Sequence, residues 1–508
     1  MPKPNYAKDI YKQLEEVMNK CDNLSHEIKN IKKEHTIEVY ELKKQHKKEV
    51  DTLNARIDSL EKENAELREE NDILKGKAIQ KNSSNSNTPP SKDEYKVQNH
   101  REKSSKKQGG QKGRTGKTLT AQEVEKLIES NEVDVVEEHY GNKKLGKTII
   151  KYIMDVKTKV IVRKIFIHGN INRDLEENIP EECKNNSTVV YGNNLKSLVS
   201  VMYAQEVIAF DRMSEFLGIL TNNILKISHG SFVNWVKEIS RKCKKTKKKL
   251  TSAIRKSKVA WTDLTPTSVN GKYAYDRNYS NENVTIHEAS RSKRIQEIQR
   301  QNILPNFKGY IMHDHDTGLY NFGIKSNHLE CWVHLGRELK YFDEYIKNSW
   351  SKELWEFAWK INKKRKAYVT NNITKFTSEE IIEYENKYEE IVQKGLIQNK
   401  KTPSKYLKDK EKAVLKRLVK YKKNYLNFIQ DFELPFDNNL SERDLRPVKT
   451  KKKISGCHRT FEGLKDYCNI RTIISTCIKQ GISYFEFFKN ILDNKKIPIT
   501  KSGFIVMP

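Results

Sequence analysis

Apolar residues near the start of the chain fall at alternating intervals of three and four: Ile10, Leu14, Val17, Cys21, Leu24, Ile28 and Ile31. After a break in phase between His35 and His46 the seam resumes as Val50, Leu53, Ile57, Leu60, Leu67 and Leu74, and neither Gly nor Pro interrupts Ile10 to Leu74. This spacing puts one apolar stripe along one side of a helix and predicts a coiled coil over 1–78. Asn64 and Asn71 take core positions of the second frame, where a buried amide favours parallel pairing in register. A homodimer or higher oligomer through this helix is expected.

The pattern then changes character several times. Residues 79–120 are rich in Ser, Asn, Pro, Gly and Lys, as in Asn82-Ser-Ser-Asn-Ser-Asn-Thr-Pro-Pro90, which predicts a flexible basic linker able to lie along a polyanion. Within 121–182, Val133 to Ile167 alternates apolar and polar residues in short runs (Thr148–Ile153, Val160–Ile167), predicting a small antiparallel sheet. Residues 183–256 read as helical, with a break at Thr221-Asn-Asn223 and a second helix from Ser228 to Ile239. Two helices across a tight polar turn resemble a helix-turn-helix, with His229, Ser231 and Asn234 near its base-reading end; two merely packed helices are the alternative. The run from Arg241 to Lys258 holds ten basic residues suited to phosphates.

From residue 257 the period becomes that of strands. Lys258-Val-Ala-Trp-Thr-Asp263 is an apolar run ending in a carboxylate, followed by Lys272–Tyr279 and Val284–Glu288, with Val269-Asn-Gly-Lys272 as a hairpin turn. A helical stretch, Arg291–Asn302, precedes a fourth strand, Gly309–Asp314, again ending in a carboxylate. Three antiparallel strands, a helix and a strand are the order of a ribonuclease-H-like core, in which the first and fourth strands lie side by side. The expected fold is therefore α/β, with such a core behind an N-terminal coiled coil, a small β-rich domain and a helical DNA-binding region.

Composition narrows the function. Lysine and arginine outnumber the carboxylates by 96 to 67, a net charge of +29 spread along the chain, which points to phosphate backbones as partner. The seven cysteines are scattered, with no CxxC pair, and suit a reducing compartment without a disulfide framework. No apolar run reaches about eighteen residues and the start lacks a signal-peptide core; a cytoplasmic, nucleoid-associated protein without a membrane partner is expected.

Three acids carry the candidate chemistry. Asp263 and Asp314 would be neighbours on adjacent strands, and Glu442 lies in the first turns of a helix capped by Asp437, Asn438 or Asn439. Hard oxygen ligands suit Mg²⁺ or Mn²⁺, and metals so held activate water or a DNA 3′-hydroxyl for in-line displacement at phosphorus. Asp316 is the rival to Asp314, and Asp444 to Glu442. Cys331 and His334, three apart on an expected helix, read as a packed thiol and a structural histidine.

At these residues the chain resembles the transposases of the IS66 insertion-sequence family, which carry a DDE catalytic triad. The most specific stretch is Leu434-Pro-Phe-Asp-Asn-Asn-Leu-Ser-Glu-Arg-Asp-Leu-Arg446, continuing through Lys449, Lys451, Lys453, Ser455, Gly456 and Arg459. Asn82–Ser86, Pro89-Pro-Ser91, Gly109-Gly-Gln-Lys-Gly113, Cys331-Trp-Val-His334 and Arg337-Glu-Leu-Lys340 match as well. The resemblance implies that Asp263, Asp314 and Glu442 are the catalytic and metal-holding acids and that the helical segment 350–432 is an insertion between the core parts 257–349 and 433–492, with 493–508 a tail. It implies DNA ends (terminal inverted repeats) and target DNA as partners, with small accessory proteins of the element. Arg443, Arg446, Lys449 and Arg459 would hold phosphates. Asp263-Leu264-Thr265 departs from the usual Asp-Glu-Thr, and the region 131–170 lacks the family's zinc cysteines, so no zinc is expected there. The other readings are a DNA-binding relative that has lost the reaction and a coiled-coil scaffold.

Overall fold

The computed structural model describes residues 6–80, 120–137, 150–154, 158–166, 179–183, 188–321 and 327–508. Among the described residues the protein is mixed α/β, mostly helical, with one five-stranded sheet. Helix α1 (Tyr6–Gln80) spans 75 residues, about 110 Å at 1.5 Å per residue. Its seam residues, among them Ile10, Leu14, Leu53, Leu60 and Leu67, are all exposed in the single chain. The linker expected over 79–120 lies outside the described residues apart from its two ends.

Helix α2 (Ala121–Glu129) starts at a capping box, in which the Thr120 side chain accepts from the Glu123 N–H and the Glu123 carboxylate accepts from the Thr120 N–H. Of the stretch Val133–Ile167, expected to form an antiparallel sheet, the described residues 133–137, 150–154 and 158–166 carry no strand, and the remainder lies outside the described residues. Alternation offers an apolar face but names no partner strand, and Ile150, Ile153 and Val162 stay exposed.

Helices α3 (Asn193–Ala204), α4 (Phe210–Leu220) and α5 (His229–Lys256) follow. The Ser228 side chain caps α5 by accepting from the Ser231 N–H. The helix does not end at Ile239, as expected, but continues to Lys256. Cys243, Leu250 and Ile254 prolong its buried face, where Lys247 is also buried against the His287 carbonyl and Asn469, while Lys244, Lys245, Lys248 and Lys249 take the exposed side.

The sheet comprises β1 (Val259–Val269), β2 (Lys272–Ser280), β3 (Thr285–Ser290), β4 (Tyr310–His313) and β5 (Asn327–Glu330), in the order β3-β2-β1-β4-β5. The pairs β1–β2 and β2–β3 are antiparallel; β1–β4 and β4–β5 are parallel. Asn270 and Gly271 both have positive φ (47° and 74°), as a two-residue hairpin turn demands. Gly309 opens β4 where a Cβ would lie 2.4 Å from the Lys258 carbonyl oxygen, so only glycine lets β4 approach β1 this closely. Short helices α6 (Ile295–Gln301) and α7 (Thr317–Asn321) flank β4.

After β5 come α8 (Trp332–Tyr345), α9 (Ser349–Thr370), α10 (Ser378–Asn399), α11 (Lys405–Lys420) and α12 (Lys422–Gln430), which share an aromatic-rich core of their own around Trp332, Phe342, Trp350, Tyr388 and Phe428. The chain then returns through α13 (Asn439–Ser455), α14 (Phe461–Gln480) and α15 (Tyr484–Leu492). With α5 these helices cover the sheet, burying Ile239, Leu250, Ala260, Ile286, Ile311, Leu445, Tyr467, Ile473 and Phe487 in one cluster.

Candidate active site

Asp263 does not end its strand, as the run of residues suggested; β1 continues six residues further. The parallel ladder to β4 covers only Val259 to Trp261, whereas the antiparallel ladder to β2 runs on to Val269. Asp263 thus sits where β1 loses its β4 neighbour, at an opening in the sheet. Asp314 follows β4 directly on the far side of that opening.

The segment ahead of α13 is fastened by two hydrogen bonds to β1 and one to Cys331, which follows β5. The Trp261 Nε1–H donates to the Asp437 carbonyl at 3.2 Å, Asn438 Nδ2 to the Thr262 carbonyl at 3.2 Å, and the Asn438 N–H to Cys331 Sγ at 3.2 Å. Asn278, facing Asp263 across the β1–β2 ladder, accepts at Oδ1 from the Asp263 N–H (2.9 Å) and from Ser441 Oγ (2.6 Å), and its Nδ2 donates to the Ser441 carbonyl (3.1 Å). One buried amide therefore ties the strand of Asp263 to the turn that carries Glu442. Asn438, not Asp437 or Asn439, is the residue flanking α13, and its side chain holds β1 instead of capping the helix.

His334 on α8 brings two of the acids together. Its Nε2 lies 3.0 Å from Glu442 Oε1 and 3.9 Å from Asp314 Oδ2, while Nδ1 meets Cys331 Sγ at 3.3 Å. Beside the buried thiol of Cys331, its ring stands between two candidate acids. Arg337, one turn on, places Nη2 3.7 Å from Glu442. Burial alone would lower the His334 pKa, but the contacts with Cys331 and Glu442 raise it to about 10, leaving an imidazolium at neutral pH. Burial likewise works against ionised Glu442, yet His334, Arg337 and Lys449 hold its pKa below the ordinary value.

Asp263 behaves oppositely. Burial and then the Asp314 charge push its pKa up to about 7, against the Leu264 N–H that donates to Oδ1 at 2.6 Å and the charges of Lys449 and His334. Two carboxylates that resist joint ionisation favour a divalent cation, and an all-oxygen donor set fits Mg²⁺ or Mn²⁺. Among the described residues no group of three His, Cys, Asp or Glu is already arranged as a metal cage; Glu442 is engaged by His334 instead.

The rival acids have other partners. Asp316 Oδ2 accepts from Arg277 Nη2 at 2.9 Å, and Oδ1 from the Gly318 N–H at 3.0 Å. Asp444 is buried, its Oδ2 accepting from Ser280 Oγ (2.7 Å), Thr285 Oγ1 (2.8 Å) and Lys479 Nζ (2.7 Å). It pins α13 and α14 to β2 and β3.

Of the expected phosphate contacts, Arg443, Arg446 and Arg459 are exposed and Lys449 is half-buried. Glu442, Arg446 and Lys449 are spaced to share one face of α13. His229, Ser231 and Asn234 lie in the first two turns of α5: His229 pairs with Asp211 (2.9 Å), Ser231 takes part in the cap, and Asn234 is exposed. Sequence reasoning passed over Asn278, and a polar residue within an otherwise buried strand was its only signal.

A family model described as transposase IS66 family matches residues 188–466, more than half of the chain. No curated protein matches the sequence significantly. The matched span runs from just before α3 into α14 and contains all three acids.

Proposed function

The chain belongs to the IS66 family of transposases, and on that premise we propose that it cleaves DNA at the ends of its element and joins them to a target, with Asp263, Asp314 and Glu442 as the catalytic acids. One observation carries this reading: Asp314, just after β4, and Glu442, on α13 and 128 residues away in sequence, both approach the His334 ring, while the charge of Asp314 acts on Asp263. The strand order, with β1 between antiparallel β2 and parallel β4, supports a ribonuclease-H-like core.

The family's activity is DNA transposition, and divalent metal is its usual requirement. Asp263, Asp314 and Glu442 would hold Mg²⁺ or Mn²⁺, which when bound lowers the pKa of the attacking hydroxyl or water and stabilises charge on the departing oxygen. The protein's own groups set up that reaction. Asn278 and Asn438 fix the turn of Glu442 against β1, and Lys449 lends positive potential to the acids. Arg443, Arg446 and Arg459 would draw in and orient the phosphate backbone, and His229, Ser231 and Asn234 would face the terminal repeats.

The exposed seam of α1 supports pairing with a second copy, so that two DNA ends are held in one assembly. Small accessory proteins of the element are further candidate partners. No described helix is long and apolar enough to cross a membrane, and a nucleoid location follows from the substrate.

The test is divalent-dependent cleavage or strand transfer on DNA carrying the repeats that flank the gene. Asp263→Asn, Asp314→Asn and Glu442→Gln should each abolish it while DNA binding persists. Activity in all three variants would remove these acids from the mechanism. The second reading, a relative that binds DNA without cutting it, is favoured by the engagement of Glu442 with His334 in place of a preformed cage; binding by the wild type without cleavage at any Mg²⁺ or Mn²⁺ concentration would establish it.

A further inference from the structure

Of the six tryptophans, five are buried or half-buried, and Trp359 on α9 alone is exposed, at 50%. It is not an isolated surface side chain. Trp355, one turn earlier, stacks with it at 5.7 Å between ring centroids and 28° between planes, and Lys340 Nζ lies 5.8 Å from the Trp355 centroid. Phe436 meets Trp359 edge-on at 6.3 Å. Phe436 in turn is two residues before Asn438, whose amide holds the Thr262 carbonyl beside Asp263. The aromatic row thus leads from the solvent face of α9 to the strand and turn that present two of the acids.

Charge around the row identifies its ligand. Lys363 and Lys366 are exposed, four and seven residues beyond Trp359 and so on the same face of α9. At the inner end, Arg337 Nη1 and Asn438 Oδ1 are buried without a partner among the described residues. An indole held rigid by a second indole offers a flat π-surface, and flanking cations suit the phosphates on either side of a stacked base. Paired bases inside a duplex keep their faces covered, so the matching ligand is an unpaired base.

Resting on the transposase reading, we propose that Trp359 is a stacking platform for an unpaired nucleobase next to the phosphodiester at Asp263, Asp314 and Glu442, with Lys363 and Lys366 on its neighbouring phosphates. Insertion helix α9 then belongs to the DNA site as well as to its own core.

The experiment uses the full chain carrying Asp263→Asn, to prevent cutting, and a duplex with a short single-stranded overhang containing 2-aminopurine; a blunt duplex is the control. Binding should quench the 2-aminopurine. Trp359→Ala should lose the quench and bind the overhang about tenfold more weakly or worse, Trp359→Phe should keep most of both, and the blunt duplex should bind all three alike. No quench with Trp359 present, a quench that persists in Trp359→Ala, or an equal loss on the blunt duplex would each overturn the proposal. Cleavage is assayed separately with Asp263 restored: absence of cleavage alongside intact stacking removes only the transposase reading, and cleavage without stacking removes only this one.

Discussion

Replacing Asp263 by Asn should stabilise the metal-free protein, in a pH-dependent way. Burial and the Asp314 charge lift this carboxyl from its ordinary 3.8 to about 7, which corresponds to ~4 kcal/mol at 1.36 kcal/mol per pH unit. The site opens to solvent at one side, and screening there leaves about 2 kcal/mol. Because the folded pKa is the raised one, the folded state is disfavoured by ionisation: the cost is absent below about pH 4, grows as pH rises, and is complete above about pH 7. Asn keeps an oxygen to accept the Leu264 N–H and carries no charge, so it removes the cost without removing the hydrogen bond. The measurement is thermal unfolding in EDTA at pH 4, 6 and 8. The variant should melt about 2–3 °C above wild type at pH 8 and level with it at pH 4. Millimolar Mg²⁺ should then raise the wild-type midpoint more than the variant's, since the ion relieves the same repulsion. A gain equal at pH 4 and pH 8, or no gain at pH 8, would refute the claim that Asp263 and Asp314 share one electrostatic site.

Other outcomes follow from the same geometry. Asp444→Ala should lower stability by about 3–5 kcal/mol in urea titration, because Lys479 is left buried without its partner. Gly309→Ala should cost about 1–3 kcal/mol, since its Cβ forces β4 off the Lys258 carbonyl, and should weaken Mg²⁺-dependent stabilisation by separating Asp314 from Asp263. His334→Ala, which frees Glu442, should change divalent-ion affinity measured by calorimetry by about 10- to 100-fold; an unchanged affinity would return His334 to simple packing. Ser at Leu53, Leu60 and Leu67 together should shift the protein to monomer in sedimentation velocity, without loss of sheet signal in circular dichroism.

What the sequence determined is what short-range pattern can carry. The helix of α1, free of Gly and Pro from Ile10 to Leu74, the Asn270-Gly271 turn, the Ser228 cap and the helix opening at Glu442 rest on local φ preferences and on periods of 2 and 3.6 residues, and all four appear as helices, turn or cap. The order of strands to β4 was legible for the same reason; β5, four residues long, offered too few positions for a period. Tertiary structure decided the rest. Nothing local separates Asp314 from Asp316 or Glu442 from Asp444; what differs is the group that approaches each carboxylate. Arg277 reaches Asp316, and Lys479 reaches Asp444 from α14. In the same way, α8 delivers His334 to Glu442, and β4 stops short beside Asp263. Such pairings join residues far apart in the chain, and their energies depend on burial and distance, which periodicity does not encode.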